Sequence, residues 1–447
     1  MPDGDLFKGA DSAPRMAREL PEPSRFVRKG RALFTTSNFP RWEGDSTTPF
    51  VLHLAQDLQA LGWQVDVLAP HAPGALTRDV IGGVHVSRFR YLWPESLETV
   101  CYQGGALANL RRDRSNLLKL PALVGVQAAS VAARLLTRRY DILHSHWILP
   151  QGFVGALAAR PLGIPHVVTV HGGDIFALQA SILGPFKRYA LRGCAAVTVN
   201  STATEKAVLD LAPGLPAVHR IPMGVGEAQP NDVAVAAFRQ RYRRGYGPLL
   251  AFVGRVVEEK GVTDLLRAVQ LLIPQLPDVS AVIVGEGQDR AAAERLAQEL
   301  GIADRVHFTG WIDAARVPEV MAAADIFVGP SRRGRDGWKE AQGLTFAEAL
   351  LAGTPVIATG LGGTVDLVRH EDSGLMVDEK APDQIAAAVA GLTNDPALAQ
   401  RLVETGGKLV QRQFTRSASA GAFSQLFTTL VPQGHLADHG GHPRPVL

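Results

Sequence analysis

Leu249-Leu-Ala-Phe-Val253 is an unbroken apolar run closed by Gly254, and it constrains the fold of this chain more than any other segment. Apolarity without alternation belongs to a strand covered on both faces, which means a parallel sheet between helices. Gly254 turns the chain at the strand's carboxyl end, and Gly261-Val-Thr-Asp-Leu-Leu opens a helix soon afterwards. Open α/β sheets bind their ligands at that end of the strands. Further short apolar runs at 281–284, 306–308, 326–328 and 355–358 alternate with helical stretches, so the chain is expected to be α/β.

A length of 447 residues allows two domains with separate cores, and 46% hydrophobic content with 45 glycines suits α/β units joined by tight turns. In the first half, 31–37 reads as the first strand, while 141–147 and 166–174 read as strands ending in polar, histidine-bearing turns. Pro222, Gly224 and Gly226 mark a hinge, followed by a connector with a basic helix at 238–244. The expected organisation is a flexible extension over 1–29, one domain over 30–226, a second over 227–412, a last helix over 413–430 and a disordered tail over 431–447.

Composition narrows the function classes. A net charge of +3 is too small to argue for nucleic acid, so no nucleic-acid partner is expected. Cys101 and Cys194 are the two cysteines, which leaves no disulfide framework or zinc signature and favours a reducing, cytoplasmic setting. Residues 1–29 contain no apolar signal segment, and no uncharged apolar run approaches the roughly 18 residues that span a bilayer. Val284-Gly285-Glu286-Gly287 follows a strand, but Arg290 stands where a dinucleotide fingerprint needs its third glycine, which disfavours a nicotinamide oxidoreductase.

The chemistry concentrates in Glu340-Ala-Gln-Gly343-Leu344-Thr345-Phe-Ala-Glu348. Gly343 precedes a run of good helix formers, so the N–H groups of Leu344 and Thr345 lie at a positive helix end suited to a phosphate. The carboxylates of Glu340 and Glu348 flank that position, and an ionised carboxylate holds a vicinal diol by accepting both hydroxyl protons. Glu348 falls among small apolar residues, where a carboxylate needs a partner. Arg255 and Lys260 straddle the turn after Gly254, and a guanidinium fork beside a point charge suits a diphosphate.

This combination resembles the retaining nucleotide-sugar glycosyltransferases of family four, over about residues 30–430. Phe252-Val253-Gly254-Arg255-Val-Val-Glu-Glu-Lys260-Gly261 is similar to the family's phosphate-binding strand and turn, and Glu340 with Glu348 matches its paired glutamates. Gln342 stands where an aromatic residue is common in the family. The resemblance implies the GT-B fold, two Rossmann-like domains facing each other across a cleft, with a final helix crossing back to the first domain. It also implies that Glu348 holds the ribose hydroxyls, Glu340 contacts the donor sugar, and Leu344 and Thr345 hold the diphosphate. Arg255 and Lys260 would stabilise the leaving charge where other transferases use a metal, so no cofactor or metal is expected beyond the nucleoside-diphosphate sugar as co-substrate.

The amino-terminal half supplies further expectations. Asn38 to Ser46 reads as a loop leading to a helix capped by Ser46 or Thr47, with Gly44 and Asp45 where many relatives carry paired glycines. Gly44 and Asp45 are therefore candidate donor-side residues, with Asp45 facing an acceptor or capping the helix. His171-Gly172-Gly173-Asp174 resembles the family's turn near the sugar, with His171 on the donor side. His144 and His146 are read as structural, and their spacing does not suggest zinc.

Residues 107–139 hold Arg111, Arg112, Arg114, Lys119, Arg134, Arg138 and Arg139 around an apolar stretch. Two readings fit: peripheral contact with anionic lipid on the inner face of the plasma membrane, or an amphipathic helix packed on the sheet. The expected reaction is transfer of a sugar from a nucleoside-diphosphate donor to a hydroxyl of a glycan or lipid-linked acceptor, with retained configuration, as in polysaccharide or glycolipid synthesis. The alternatives are a sugar-nucleotide epimerase of the same fold and a non-catalytic sugar-nucleotide-binding protein.

Overall fold

A computed structural model describes residues 29–45, 47–102, 105–177, 181–215, 217–227, 229–334 and 337–431. The expected extension, tail and Ser46 cap lie outside the described residues, apart from Lys29 and Val431 at the margins. The first sheet contains β1 Gly30–Thr35, β2 Trp63–Pro70, β3 Arg78–Ile81, β4 Val84–Phe89, β5 Ile142–His146, β6 His166–Val170, β7 Ala196–Val199 and β8 Val218–Arg220. Its order is β3-β4-β2-β1-β5-β6-β7-β8, parallel throughout except for the β3–β4 edge hairpin. The chain reverses its direction of winding between β1 and β5, so the carboxyl ends of these strands border a crevice.

The second sheet contains β9 Leu249–Val253, β10 Ser280–Val284, β11 Val306–Gly310, β12 Ile326–Gly329, β13 Val356–Thr359 and β14 Leu375–Val377. It is wholly parallel in the doubly wound order β11-β10-β9-β12-β13-β14. The Leu249–Val253 run occupies the switch strand, flanked on one side by β10 and on the other by β12. Apolar clusters cover both of its faces, Leu250 and Phe252 packing in one and Leu249 and Ala251 in the other. That two-sided burial is the physical reason for its lack of alternation.

The connector helix runs over Asp232–Tyr242 and begins earlier than its basic residues alone suggest. Asn231 starts it by accepting the N–H groups of Val233 and Ala234 at 3.0 and 3.1 Å. Helix Arg416–Leu430 packs on the first sheet: Phe423 and Phe427 join the cluster that contains Trp63 and Ile142, and Arg416 forks onto Asp57 at 2.8 and 2.6 Å. The two crossings between domains meet as a short ladder, Val225 donating to the Phe414 carbonyl at 2.8 Å and Arg416 to the Val225 carbonyl at 3.0 Å.

Helix Leu120–Thr137 buries Leu123, Gln127, Val131 and Leu135 at four-residue intervals. Its opposite side and the preceding turn expose Leu118, Leu136, Pro121 and Gly125. The apolar stretch Arg114–Thr137 is long and apolar enough to cross a membrane by length and composition alone.

Candidate functional site

The carboxyl ends of β9 and β12 and the amino end of helix Leu344–Leu351 converge on one side of the second sheet. Gly343 precedes that helix with φ 78° and ψ 53°, a left-handed conformation that glycine adopts without strain. A Cβ there would lie 2.7 Å from Phe346 Cδ2, so the position is also closed to larger residues by packing. Phe346 is buried edge-on against Phe327 at 5.3 Å and anchors the helix start to β12. The helix has no side-chain cap, and the N–H groups of Leu344 and Thr345 have no carbonyl one turn earlier in the helix.

Glu348, one turn along, is partly covered, and its carboxylate makes no hydrogen bond or ion pair with another described residue. Burial pushes its carboxyl up to about 7 from the ordinary 4.5. A carboxyl raised in this way, without a protein partner, marks a place where ligand chemistry completes the environment. Arg255 is exposed at the end of β9, and its guanidinium also makes no hydrogen bond or ion pair with a described residue.

Lys260 and Glu340, expected to serve diphosphate and sugar respectively, are paired with each other at 2.5 Å. Ser331 Oγ donates to the same Glu340 oxygen at 3.4 Å, and the Lys260 ammonium lies 5.3 Å from the centre of the Trp338 ring. Sequence reasoning missed Ser331 and its neighbour Arg332. Arg332 forks onto buried Asp264, at 2.6 Å through Nε, and donates to Thr263 Oγ1 at 2.9 Å. Its N–H also holds the Glu259 carbonyl at 2.7 Å, which ties the end of β12 to the turn bearing Lys260. The signal was their position immediately after a buried strand, where α/β sheets place ligand contacts.

Two family models match the chain: glycosyl transferases group 1 over residues 236–409, and a glycosyl transferase 4-like domain over residues 47–224. A 2-deoxystreptamine glucosyltransferase of Streptomyces kanamyceticus is 32% identical over 365 residues, covering 72% of this chain and 91% of that protein. The chain belongs to the glycosyl transferases group 1. A GDP-mannose-dependent alpha-(1-6)-phosphatidylinositol monomannoside mannosyltransferase of Mycobacterium tuberculosis is 30% identical, covering 67% and 79% of the two chains. Among solved structures, sucrose-phosphate synthase from Thermosynechococcus elongatus superposes with a TM-score of 0.69 at 25% identity, over 90% of this chain and 99% of that one. Anabaena HepE with UDP-glucose, at 18% identity and a TM-score of 0.68 over 90% and 100% of the chains, shares the fold. The fold is GT-B, and the protein is a glycosyltransferase that moves a sugar from a nucleotide-sugar donor to an acceptor.

The first domain of this glycosyltransferase brings His171 to the cleft. Gly172, with φ 99°, faces the second domain so closely that a Cβ would collide with that of Ala341. The His171 ring packs between Phe50 at 5.0 Å and Trp147 at 4.8 Å, and its Nε2 meets Nδ1 of His146 at 3.0 Å. Burial lowers the His171 pKa to about 3, so at neutral pH it is an uncharged hydrogen-bonding group and cannot supply positive charge. His146 and His144 are buried, the latter joined through Nε2 to Thr169 Oγ1 at 2.6 Å. Asp174 is also buried and works within its own turn, accepting from Ile148 N at 2.8 Å and Gly172 N at 3.1 Å.

Asp45 departs from the expectation of a donor or acceptor contact. Its carboxylate accepts from Arg41 N and Nε, each at 2.8 Å, and from Thr47 Oγ1 at 3.0 Å. Burial pushes that carboxyl up, but the bonds from Arg41 and Thr47 outweigh it and hold it below the ordinary value. It staples its own loop because a guanidinium four residues away satisfies it completely. Asp45 does not cap the following helix either: Pro49–Ala60 is preceded by Thr48 in a left-handed conformation, with no side-chain cap. Gly44 is exposed and a Cβ there would meet nothing within 4 Å, so no close approach requires glycine. Among the described residues there is no group of three or more His, Cys, Asp or Glu that could hold a metal ion.

Proposed function

We propose that the cleft binds a nucleoside-diphosphate hexose with its ribose on Glu348, its diphosphate on the amides of Leu344 and Thr345 with Arg255 and Lys260, and its sugar against Glu340. The unpartnered, raised carboxyl of Glu348 one turn from the free amides carries this reading. A vicinal diol supplies the two hydroxyl donors that the carboxylate lacks. His171 acts as a neutral hydrogen-bonding group on the sugar side.

Transfer proceeds with retained anomeric configuration and without a metal. The bond from the anomeric carbon to the diphosphate oxygen breaks, the acceptor oxygen bonds to the same face, and the acceptor proton passes to the leaving diphosphate. Lys260 and Arg255 meet charge that grows on the leaving oxygen, so their effect is larger in the transition state than in the ground state. Glu340, held by Lys260 and Ser331, orients the sugar and is not a nucleophile. The acceptor is a polyhydroxylated molecule, a glycan or a lipid-linked sugar, and one relative is named for a phosphatidylinositol monomannoside acceptor.

The enzyme works on the cytoplasmic side and touches the membrane peripherally through the exposed apolar and basic side of residues 107–139. Leu118, 85% exposed, and Leu136, 70% exposed, support this. Sedimentation with anionic and neutral vesicles tests it: equal recovery in the supernatant from both would refute the contact.

For the donor, a thermal-shift panel of UDP, GDP and ADP is the decisive assay. One base should raise the melting temperature, and product analysis with the matching sugar should show the donor's anomeric configuration. No stabilisation by any of the three, or an inverted product, would overturn the reading.

A further inference from the structure

Ile221 and Met223 of the interdomain linker pack in the core of the first sheet, whereas Val225 packs in the core of the second. Met223 therefore travels with the first domain, and the change of allegiance occurs within two residues. Gln342 belongs to the second domain and lies between Glu340 and Gly343, buried at 5% exposure. It spends its carboxamide on Met223: the Met223 N–H donates to Oε1 at 3.0 Å, and Nε2 donates to the Met223 carbonyl at 2.7 Å. A neutral amide offers one acceptor and one donor side by side, matching the two groups of one backbone residue; an ionised carboxylate has no donor.

This loop and the segment bonded to it meet the first domain at two other points. Ala341 abuts Gly172, and Gly363, whose N–H donates to the Glu340 carbonyl at 2.8 Å, packs beside Ser201. The segment 340–343 is thus one part of the donor side that the first domain touches, beside Leu344 and Asp366, whose carboxylate accepts from Thr202 N at 2.6 Å. The helix start beyond it is anchored through Phe346 in the second core, while Leu344 also packs against the core of the first sheet.

We infer that Gln342 is a positioning residue whose two-bond grip on Met223 sets Glu340 against the donor sugar and couples that placement to the orientation of the domains. This rests on the reading of Glu340 as the sugar contact. Because Phe346 in the second core anchors the helix that carries Glu348 and the amides of Leu344 and Thr345, the grip governs turnover more than nucleotide affinity.

Gln342→Met and Gln342→Glu test it against wild type, with UDP, GDP or ADP affinity by calorimetry and kcat at saturating donor. Gln342→Met should keep nucleoside-diphosphate affinity within about two-fold while kcat falls roughly ten- to hundred-fold, the scale of a misplaced contact. Gln342→Glu should be impaired at alkaline pH and recover relative to wild type as pH falls, because the protonated acid regains the missing donor. Unchanged kcat in Gln342→Met, equal loss of affinity and kcat, or no acid recovery in Gln342→Glu would each overturn the assignment. Hydrogen exchange over 340–345 reads the grip without turnover: faster exchange in Gln342→Met supports it, and unchanged exchange refutes it. Wild type that binds no nucleoside diphosphate would instead sink the donor-site reading, and the exchange result would still decide the grip.

Discussion

Replacing Glu348 by Gln should make the ligand-free protein more stable and a poorer binder of its donor, and the stability gain should depend on pH. The folded-state carboxyl titrates at about 7 against 4.5 for the ordinary group, because burial disfavours the charge. The folded protein therefore holds a proton that the unfolded chain has released, and stability falls as pH rises from about 4.5 through about 7. The full displacement corresponds to about 3 kcal/mol at about pH 8 and to under about 1 kcal/mol at about pH 5, where the folded-state group is protonated. Glutamine keeps the shape and never ionises. For a domain of this size each kcal/mol moves the melting temperature by roughly 2–4 °C, so Glu348→Gln should melt roughly 6–12 °C above wild type at about pH 8 and much closer to it at about pH 5.

Binding should move the other way. A carboxylate accepts from both hydroxyls of a diol, whereas a carboxamide accepts through one oxygen only and its NH2 can only donate, so the second hydroxyl loses its charged acceptor. Loss of one charge-assisted hydrogen bond is worth about 2 kcal/mol, or roughly thirty-fold in nucleoside-diphosphate affinity. Paired scanning calorimetry and titration calorimetry at the two pH values provide both readouts. A melting difference that is the same at both pH values would refute the buried-charge account, and undiminished nucleotide affinity would refute the ribose contact.

Lys260→Met removes the charge paired with Glu340 and should lower kcat by roughly a hundred-fold or more; steady-state kinetics with normal kcat would contradict the leaving-group role. His166 and His171 both have pKa values lowered to about 3 by burial, so the unfolded chain takes up protons near 6.5 that the folded protein refuses. Their contribution is intact above about pH 6.5 and is lost as pH falls toward about 3, about 2 kcal/mol per histidine by about pH 5; urea midpoints at about pH 7 and pH 5 measure it. Gly172→Ala combines a left-handed backbone with a collision against Ala341 across the cleft, and should reduce kcat by at least about ten-fold while the isolated folds persist; small-angle scattering should show a more open particle, and wild-type kinetics would refute the contact.

The second sheet was legible because its strands are short apolar runs ended by glycine or polar turns, a pattern that burial on both faces enforces. The observed strands β9 to β13 lie within two residues of the runs read from sequence. β14 escaped notice because Leu375–Val377 is only three residues, too short for periodicity to register. The paired glutamates were visible by spacing, but the bond between Lys260 and Glu340 was not, since 80 residues separate them and only the adjacency of β9 and β12 brings their turns together. Asp45 was misread for the opposite reason: its satisfying partner, Arg41, lies within the same loop, and local hydrogen bonding is invisible in a pattern of residue types. Gln342 looked like a mere departure from an aromatic preference until its two bonds to the linker were seen.

The ligand-free pairing of Lys260 with Glu340 bears on how the cleft accepts its substrate. Each group separated from the other needs a replacement, because a half-buried charge left alone is more costly than the pair. A nucleotide sugar brings both replacements in one molecule, phosphate oxygens for the ammonium and sugar hydroxyls for the carboxylate. A nucleoside diphosphate alone brings only the first, and its entry leaves Glu340 to Ser331. Donor should therefore bind more tightly than the matching nucleoside diphosphate, and Glu340→Gln, which frees Lys260 in advance, should narrow that gap by strengthening the nucleoside diphosphate. Titration of both ligands against wild type and Glu340→Gln measures the gap directly, and a gap that is absent in wild type or unchanged in the variant would show that the ion pair is not exchanged on binding.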